Sequence, residues 1–428
     1  SLRAEIMIFS NDYADQLDRA DQLASFRDRF HIPKHTNGDQ IYLCGNSLGL
    51  QPKSVKSVLQ QELDDWAALG VEGHFHAKHP WMPYHSELRD LLAENVGAKP
   101  VEVVAMNALT VNLHLLMVSF YRPNAERPAI IIEQGAFPSD RYAVESQIRF
   151  HGFDPSDCLI EISADPDSGL IPTNALENCL REHGHRVALI LWPGVQYRTG
   201  QAFDLKAIAD LGHFHGCQVG FDLAHAAGNL PLQLHDSGAD FAVWCSYKYL
   251  NSGPGAIAGA FVHERHAQSV LPRFNGWWGH RQDTRFQMGP EFKGTPGAEG
   301  WQLSNPPIFS MAPMRASLDI FHEAGMPALR RKSLTLTAYL EALIRQELDD
   351  VLRSATPVDP EQRGCQLSLQ VRAGRDAGRR LFEHLMQSGV IGDWREPDVI
   401  RLSPTPLYNR FSDCLGAVRC IKQWAGSI

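Results

Sequence analysis

From residue 101 to residue 263 the chain lays down a succession of short apolar runs, at 101–106, 128–133, 187–192, 217–222, 241–245 and 256–263, with longer segments of mixed polarity between several of them. They do not alternate strictly between apolar and polar positions, so they predict strands covered on both faces. A mainly parallel sheet sandwiched by helices covers strands in this way, and the stretch reads as an α/β domain. Hydrophobic residues are 44% and charged residues 21% of the 428, ample for such a core. At about 100–200 residues per domain, the length calls for more than one. No apolar run approaches the roughly 18 residues that cross a bilayer, which argues against a membrane partner.

Outside this stretch the pattern changes. Residues 13–30 carry Leu17, Ala20, Leu23, Phe26 and Phe30 near helical spacing and stop before Pro33, which predicts a helix. An extended run at 41–50 closes on Gly45, Asn46, Gly49 and Pro52, and 52–69 is helical again. The stretch 70–83, dense in His, Gly and Pro and without periodicity, predicts a functional or mobile loop. After Pro306 and Pro307 a long helical region runs to Leu352, followed by extended runs at 366–371 and 398–402 around a helix at 375–387. That mixture is a smaller α+β domain. The boundaries drawn are 1–50 for an N-terminal segment packing on the small domain or at a dimer contact, 51–310 for the large domain and 311–428 for the small one.

The net charge is −9, and no Lys/Arg-rich run offers a positive stripe, so nucleic acid is not expected as a partner. The 8 cysteines are scattered without a CxxC pair, mostly among apolar neighbours, as small core residues in a reducing cytoplasm would be. The N-terminus lacks the basic, apolar and small-residue series of a secretory signal; residues 1–6 precede the first methionine, Met7.

Chemistry concentrates where apolar runs end. Lys248 follows the run at 241–245, between Tyr247 and Tyr249 and ahead of a glycine-rich turn. A lysine there either sits in a partly dry pocket that favours its neutral, nucleophilic form, able to make a Schiff base, or points to solvent. Asp222 ends the run at 217–222, with His225 three residues on. In an α/β sheet, ligands collect at the carboxyl ends of strands, so these groups converge on one crevice. Asp222 then either keeps a pyridinium nitrogen protonated, as pyridoxal phosphate chemistry requires, or caps the next helix. Thr110 is a natural N-cap for a helix whose apolar face is Leu113, Leu116 and Met117. Such a helix start offers free N–H groups and a positive dipole end to a phosphate.

The blocks at 42–52, 107–113, 137–140, 220–225, 244–250, 276–280, 304–307 and 404–409, among them Phe137-Pro-Ser-Asp140, Trp244-Cys-Ser-Tyr-Lys-Tyr-Leu250 and Gly276-Trp-Trp-Gly-His280, resemble those of the kynureninase family over nearly the whole chain. The resemblance implies the fold-type I pyridoxal phosphate architecture: a mainly parallel seven-stranded sheet in the large domain and a smaller α+β C-terminal domain. It implies Lys248 as the residue that holds pyridoxal 5'-phosphate, Asp222 as partner of the ring nitrogen and His225 as its neighbour. Phe137 stacks on the ring, with Pro138, Ser139 and Asp140 beside it; Leu109, Thr110 and Tyr247 hold the phosphate. Trp277 and Asn305 come from the second subunit of a homodimer. Arg401 resembles the arginine that grips the substrate carboxylate, for which a bidentate fork is suited; its other reading is a solvated arginine on an edge strand. Pro193 departs from relatives with a hydroxyl residue there, since it offers neither hydroxyl nor N–H.

His74, His76 and His79 are zinc-like ligands, yet no cysteine or carboxylate there completes a recognisable set, and no metal is expected. By resemblance, His74, Ser304 and Asn305 form the polar set of animal-type kynureninases, which favour 3-hydroxykynurenine. The implied reaction is hydrolytic cleavage of the Cβ–Cγ bond, giving an anthranilate-type acid and L-alanine, with Lys248 and Tyr247 moving protons. It belongs to tryptophan breakdown or, with the hydroxylated substrate, to pyridine-nucleotide precursor synthesis. The alternatives are another fold-type I enzyme, an aminotransferase or cysteine desulfurase, and a non-catalytic binding protein of the same fold.

Overall fold

The computed structural model describes residues 7–36 and 38–427; residues 1–6, ahead of Met7, lie outside them. The strands β1 (Val103–Ala105), β2 (Ala129–Glu133), β3 (Leu159–Ile162), β4 (Val187–Pro193), β5 (Gln218–Asp222), β6 (Phe241–Trp244) and β7 (Gly259–Val262) form a 7-stranded sheet in the order β1-β7-β6-β5-β4-β2-β3. Pairing from β6 to β3 is parallel, and β7 runs antiparallel to β1 and β6. Successive side chains of a strand leave on opposite faces. Here both faces are dry: Ile131, Ile190 and Val219 enter one apolar core, and Ile130, Ile132, Leu189 and Leu191 enter another. That is why the sequence shows runs and not alternation. At Gly220 a Cβ would lie 2.1 Å from the Phe241 ring, so the aromatic of β6 rests directly on the backbone of β5.

The helices are α1 (Asn11–Ala20), α2 (Ser54–Leu69), α3 (Tyr84–Val96), α4 (Leu109–Phe120), α5 (Pro138–Phe150), α6 (Ala175–His183), α7 (Leu205–Phe214), α8 (Ile308–Ala324), α9 (Met326–Glu347), α10 (Arg375–Gln387) and α11 (Phe411–Gly426), besides shorter turns. None of the described helices is long and apolar enough to cross a membrane. The strands β8 (Leu352–Ser354), β9 (Leu367–Val371), β10 (Asp393–Arg395) and β11 (Val399–Leu402) make a second, antiparallel sheet in the order β8-β9-β11-β10. Its core joins Leu367, Leu369 and Ile400 to α9, α10 and α11, and includes Ala14 of α1 and Leu43 from the start of the chain.

Several expectations change. The helix over 13–30 is interrupted: Asp21 leaves the helical path to accept the Leu23 N–H (2.9 Å) and to pair with buried Lys332 (2.8 Å), and Ala24–Arg29 continues as a 3-10 turn. The segment 70–83 is not an irregular loop. It opens with the turns Gly70–Glu72 and Gly73–His76, and Trp81 pins it by donating to buried Glu62 (2.7 Å), with Gly73 packed on the Trp81 ring. The half-exposed edge strand β3 was not anticipated; its run Leu-Ile-Glu-Ile is short and carries a charge.

Candidate active site

The carboxyl ends of β2, β4, β5 and β6 and the starts of α4 and α5 surround one cavity with about 590 Å³ of empty space, part of it open to solvent. Lys248 and Tyr247 border it from the turn after β6, with Lys248 Nζ 4.7 Å from the centroid of the Tyr247 ring. The turn is held from the far side: Gly49 N–H donates to the Tyr247 carbonyl (2.9 Å), and a Cβ at Gly49 would meet the Lys248 carbonyl at 2.3 Å. Asp222 and His225 border the same cavity, both buried. Asp222 Oδ1 accepts the Ala224 N–H (2.8 Å), closing a turn and not a regular helix.

Thr110 is not the N-cap of α4. Ala108 holds that position without a side-chain bond, and the Thr110 hydroxyl meets that of Ser139 at 2.8 Å. The start of α5 also lacks a side-chain cap, with Phe137 at the N-cap and Pro138 in the first turn. Two uncapped helix starts thus meet at the cavity through Leu109, Thr110, Phe137 and Ser139. Their free N–H groups and dipoles suit a phosphate. Pro138 does not border the cavity; a proline there sacrifices only an N–H that the helix leaves unbonded.

The lining also carries carboxylates. Asp140, Asp222 and Glu133 all line the cavity and are buried. Burial, with the Asp222 charge adding to it, pushes the Glu133 carboxyl up to about 8. Burial and then the charges of Asp222 and Glu133 hold the Asp140 carboxyl well above its ordinary range, and its Oδ1 has no partner among the described residues. Burial, with Arg401 and Lys248 nearby, keeps the His225 imidazole well below its usual basicity, and its Nδ1 is also unpartnered. Such a wall fits a cationic ring nitrogen, and the helix starts fit a phosphate.

Other expected residues lie elsewhere. Arg401 is neither solvated nor on an edge: it is fully buried on β11, between β9 and β10, and does not border the cavity. Its Nε donates to Asp393 Oδ1 (2.6 Å), its Nη2 to Asp393 Oδ2 and its Nη1 to the Tyr197 carbonyl (2.9 Å). Trp277, Ser304 and Asn305 are outside the cavity; Trp277 donates to the Arg285 carbonyl (3.1 Å), and the other two lie at least partly open to solvent. His74 also lies outside, with Nδ1 2.8 Å from the Val71 carbonyl and its ring edge on Trp81. Pro193 does line the cavity, as does Cys245, whose thiol burial pushes up to about 11.

Sequence reasoning missed Tyr197 and Glu133. Glu133 had a signal, a carboxylate ending an apolar run as Asp222 does. Among the described residues one metal-like group, Glu102 with His235 and His263, lies away from the cavity. Its donors are already engaged: backbone N–H groups of Lys99 and Glu264 bond Glu102 (both 2.8 Å), and that of Arg265 bonds His263 Nδ1 (3.2 Å). The two rings also stack, with centroids 4.9 Å apart and planes at 17°.

Among solved structures, the fold resembles the cysteine desulfurase CsdA from Escherichia coli, with a TM-score of 0.77 and 16% identity over 95% of this chain and 99% of that one. It also resembles a mutant of C-DES with glycine covalently linked to its PLP cofactor, with a TM-score of 0.74 and 17% identity over 89% and 96%. The architecture is therefore that of the fold-type I pyridoxal phosphate enzymes. The kynureninase C-terminal domain family matches residues 329–421. The kynureninases of Stenotrophomonas maltophilia (strain K279a) and of Xanthomonas oryzae pv. oryzae (strain PXO99A) are each 60% identical over 420 residues, 98% of this chain and 99% of theirs. The chain belongs to the kynureninase family.

Proposed function

We propose that this chain is a pyridoxal phosphate-dependent hydrolase that cleaves the Cβ–Cγ bond of kynurenines, with 3-hydroxykynurenine preferred. The observation that carries the reading is the convergence of Lys248, the Asp222 wall and two uncapped helix starts on one cavity. Bound there, pyridoxal phosphate supplies an electron sink for a carbanion at the substrate's Cα. The starts of α4 and α5, with Tyr247, would hold its phosphate, Phe137 would cover its ring, and Asp222 would partner the ring nitrogen, with Asp140 and His225 beside it. Lys248 Nζ would hold the cofactor's aldehyde carbon, and its free amine would be the base for the proton at the substrate's Cα. Water then adds to the aryl ketone, the Cβ–Cγ bond breaks, and the acyl half leaves as an anthranilate-type acid. The alanine half is protonated by Lys248 or Tyr247 before release.

Arg401 supports the carboxylate role through its donors. Of five guanidinium N–H groups, three are engaged by Asp393 and Tyr197, leaving one on each terminal nitrogen, the pair a carboxylate takes in bidentate fashion. The same reading includes the division at 1–50, 51–310 and 311–428, a cytoplasmic location and a homodimer. In that dimer Trp277 and Asn305 serve the cavity of the second subunit, while His74, Ser304 and Asn305 form the polar set that meets the substrate hydroxyl. A desulfurase would need an accessible, mobile thiol, and the described cysteines are buried or half-buried.

The test is release of L-alanine from each substrate by protein loaded with pyridoxal phosphate. The expected kcat/KM is at least about tenfold higher with 3-hydroxykynurenine, because a site that hydrogen-bonds a hydroxyl leaves groups unpaired without it. Equal or better turnover of kynurenine removes the preference, and no alanine from either removes the reading.

A further inference from the structure

The loop after β4 touches both the cavity and the second sheet. Tyr197 borders the cavity, and its ring stands edge-on to Phe137, with centroids 5.2 Å apart and planes at 74°. Its carbonyl accepts from Arg401 Nη1 (2.9 Å) and from Gln366 Nε2 (3.1 Å). The next residue is held in the same way: Arg198 pairs with Asp398 (2.9 Å), and its carbonyl accepts from the Ser368 hydroxyl. On the cavity side, Gln196 donates to the Gly135 carbonyl (2.9 Å) and accepts the N–H groups of Arg198 and Thr199. The segment is therefore anchored at both ends, by residues more than 150 positions away and by the loop that carries Phe137.

We propose that Tyr197 is a positioning residue that couples Arg401 to Phe137, so that a carboxylate held by the arginine tightens the wall against the cofactor ring. The inference rests on the reading above, in which Arg401 takes a carboxylate and Phe137 covers pyridoxal phosphate. The physical path is short. A carboxylate on the two free N–H groups of Arg401 draws on the same guanidinium that holds the Tyr197 carbonyl. The Tyr197 backbone fixes its ring, and the ring edge sets the angle of Phe137. An edge-to-face pair prefers one geometry, and its loss leaves Phe137, which is about half exposed, free to turn from the cavity. Coupling of this kind is reciprocal: whatever the carboxylate does to cofactor affinity, the cofactor does to carboxylate affinity.

The test needs no turnover. The dissociation constant of pyridoxal phosphate is measured by absorbance titration, with and without saturating 4-oxo-4-phenylbutanoate, an aryl-keto carboxylate without the amine that would react with the cofactor. The parent protein is expected to bind pyridoxal phosphate roughly two- to tenfold more tightly with the carboxylate, about the worth of one aromatic pair. Tyr197→Phe retains the ring and is expected to retain the ratio. Tyr197→Leu, which keeps much of the apolar bulk, and Tyr197→Ala are expected to bring it to one while the carboxylate still binds. A ratio near one in the parent, an undiminished ratio in Tyr197→Leu or Tyr197→Ala, or loss of the ratio in Tyr197→Phe overturns the proposal. Failure of the parent to bind pyridoxal phosphate instead removes the reading of the cavity.

Discussion

The Arg401–Asp393 pair is a severe test of the reasoning, because its stability and its proposed function separate. Arg401 is fully buried, and the Asp393 side chain is 15% exposed. Asp393→Ala leaves the guanidinium with the Tyr197 carbonyl as its one remaining hydrogen-bond acceptor among the described residues, and stranding a buried charge costs about 3–5 kcal/mol. Arg401→Met strands the carboxylate less severely, since Asp393 keeps some water and lies 3.5 Å from Arg395, and about 2–3 kcal/mol is expected. Replacing both, as Arg401→Met with Asp393→Leu, removes both charges and restores apolar volume, so its expected cost is about 0–1 kcal/mol. The coupling in this cycle is then on the order of 5 kcal/mol, far outside the roughly 0.5 kcal/mol of independent sites. Urea unfolding of the cofactor-free proteins by tryptophan fluorescence measures all four corners, with Asp393→Leu completing the cycle, and alanine release after loading measures function separately. The double variant should be folded and yet have a strongly raised KM. Additive costs, or a cost below about 1 kcal/mol for Asp393→Ala, refute the account of the pair, and an unchanged KM in the double variant refutes the carboxylate grip.

Three further outcomes follow from the cavity and the sheet. Lys248→Ala should lose both the visible absorbance of pyridoxal phosphate attached to the protein and alanine release; turnover in the variant contradicts its role. Glu133 holds a proton in the folded chain up to about pH 8 that the unfolded chain gives up near its ordinary value of 4.5, so its contribution is fully present below the lower value and is lost as pH rises through the upper one. Glu133→Gln should therefore gain stability relative to the parent at pH 8 compared with pH 5; urea midpoints that run parallel at both pH values count against this. Gly220→Ala drives a methyl group into the Phe241 ring and should lower stability by roughly 1–3 kcal/mol or more, whereas an unchanged unfolding midpoint speaks against the close approach of β5 and β6.

Much of the large sheet was legible because its strands are dry on both sides: Ile130 and Ile131 face different cores, and the run that results carries no other message. That Lys248 and Asp222 border one cavity was legible for the same reason, as both are polar residues ending such runs. The edge strand β3 was not, since one exposed face dilutes its pattern with Glu161. The helix break at Asp21 depends on Lys332, and the order of the 70–83 segment depends on Glu62 meeting Trp81; both are tertiary partners that no local propensity announces. Thr110 misled because a threonine before an apolar helix signals a cap, while its hydroxyl in fact reaches Ser139 on the neighbouring helix. Tyr197 had no signal at all, since its long-range contacts run through a backbone oxygen bonded from residues 366 and 401.

The meeting of α1 with α11 ties residues 11–20 to residues 411–426. Every strand of the large sheet precedes α11 in the chain, so during synthesis α1 is made long before this one of its packing partners.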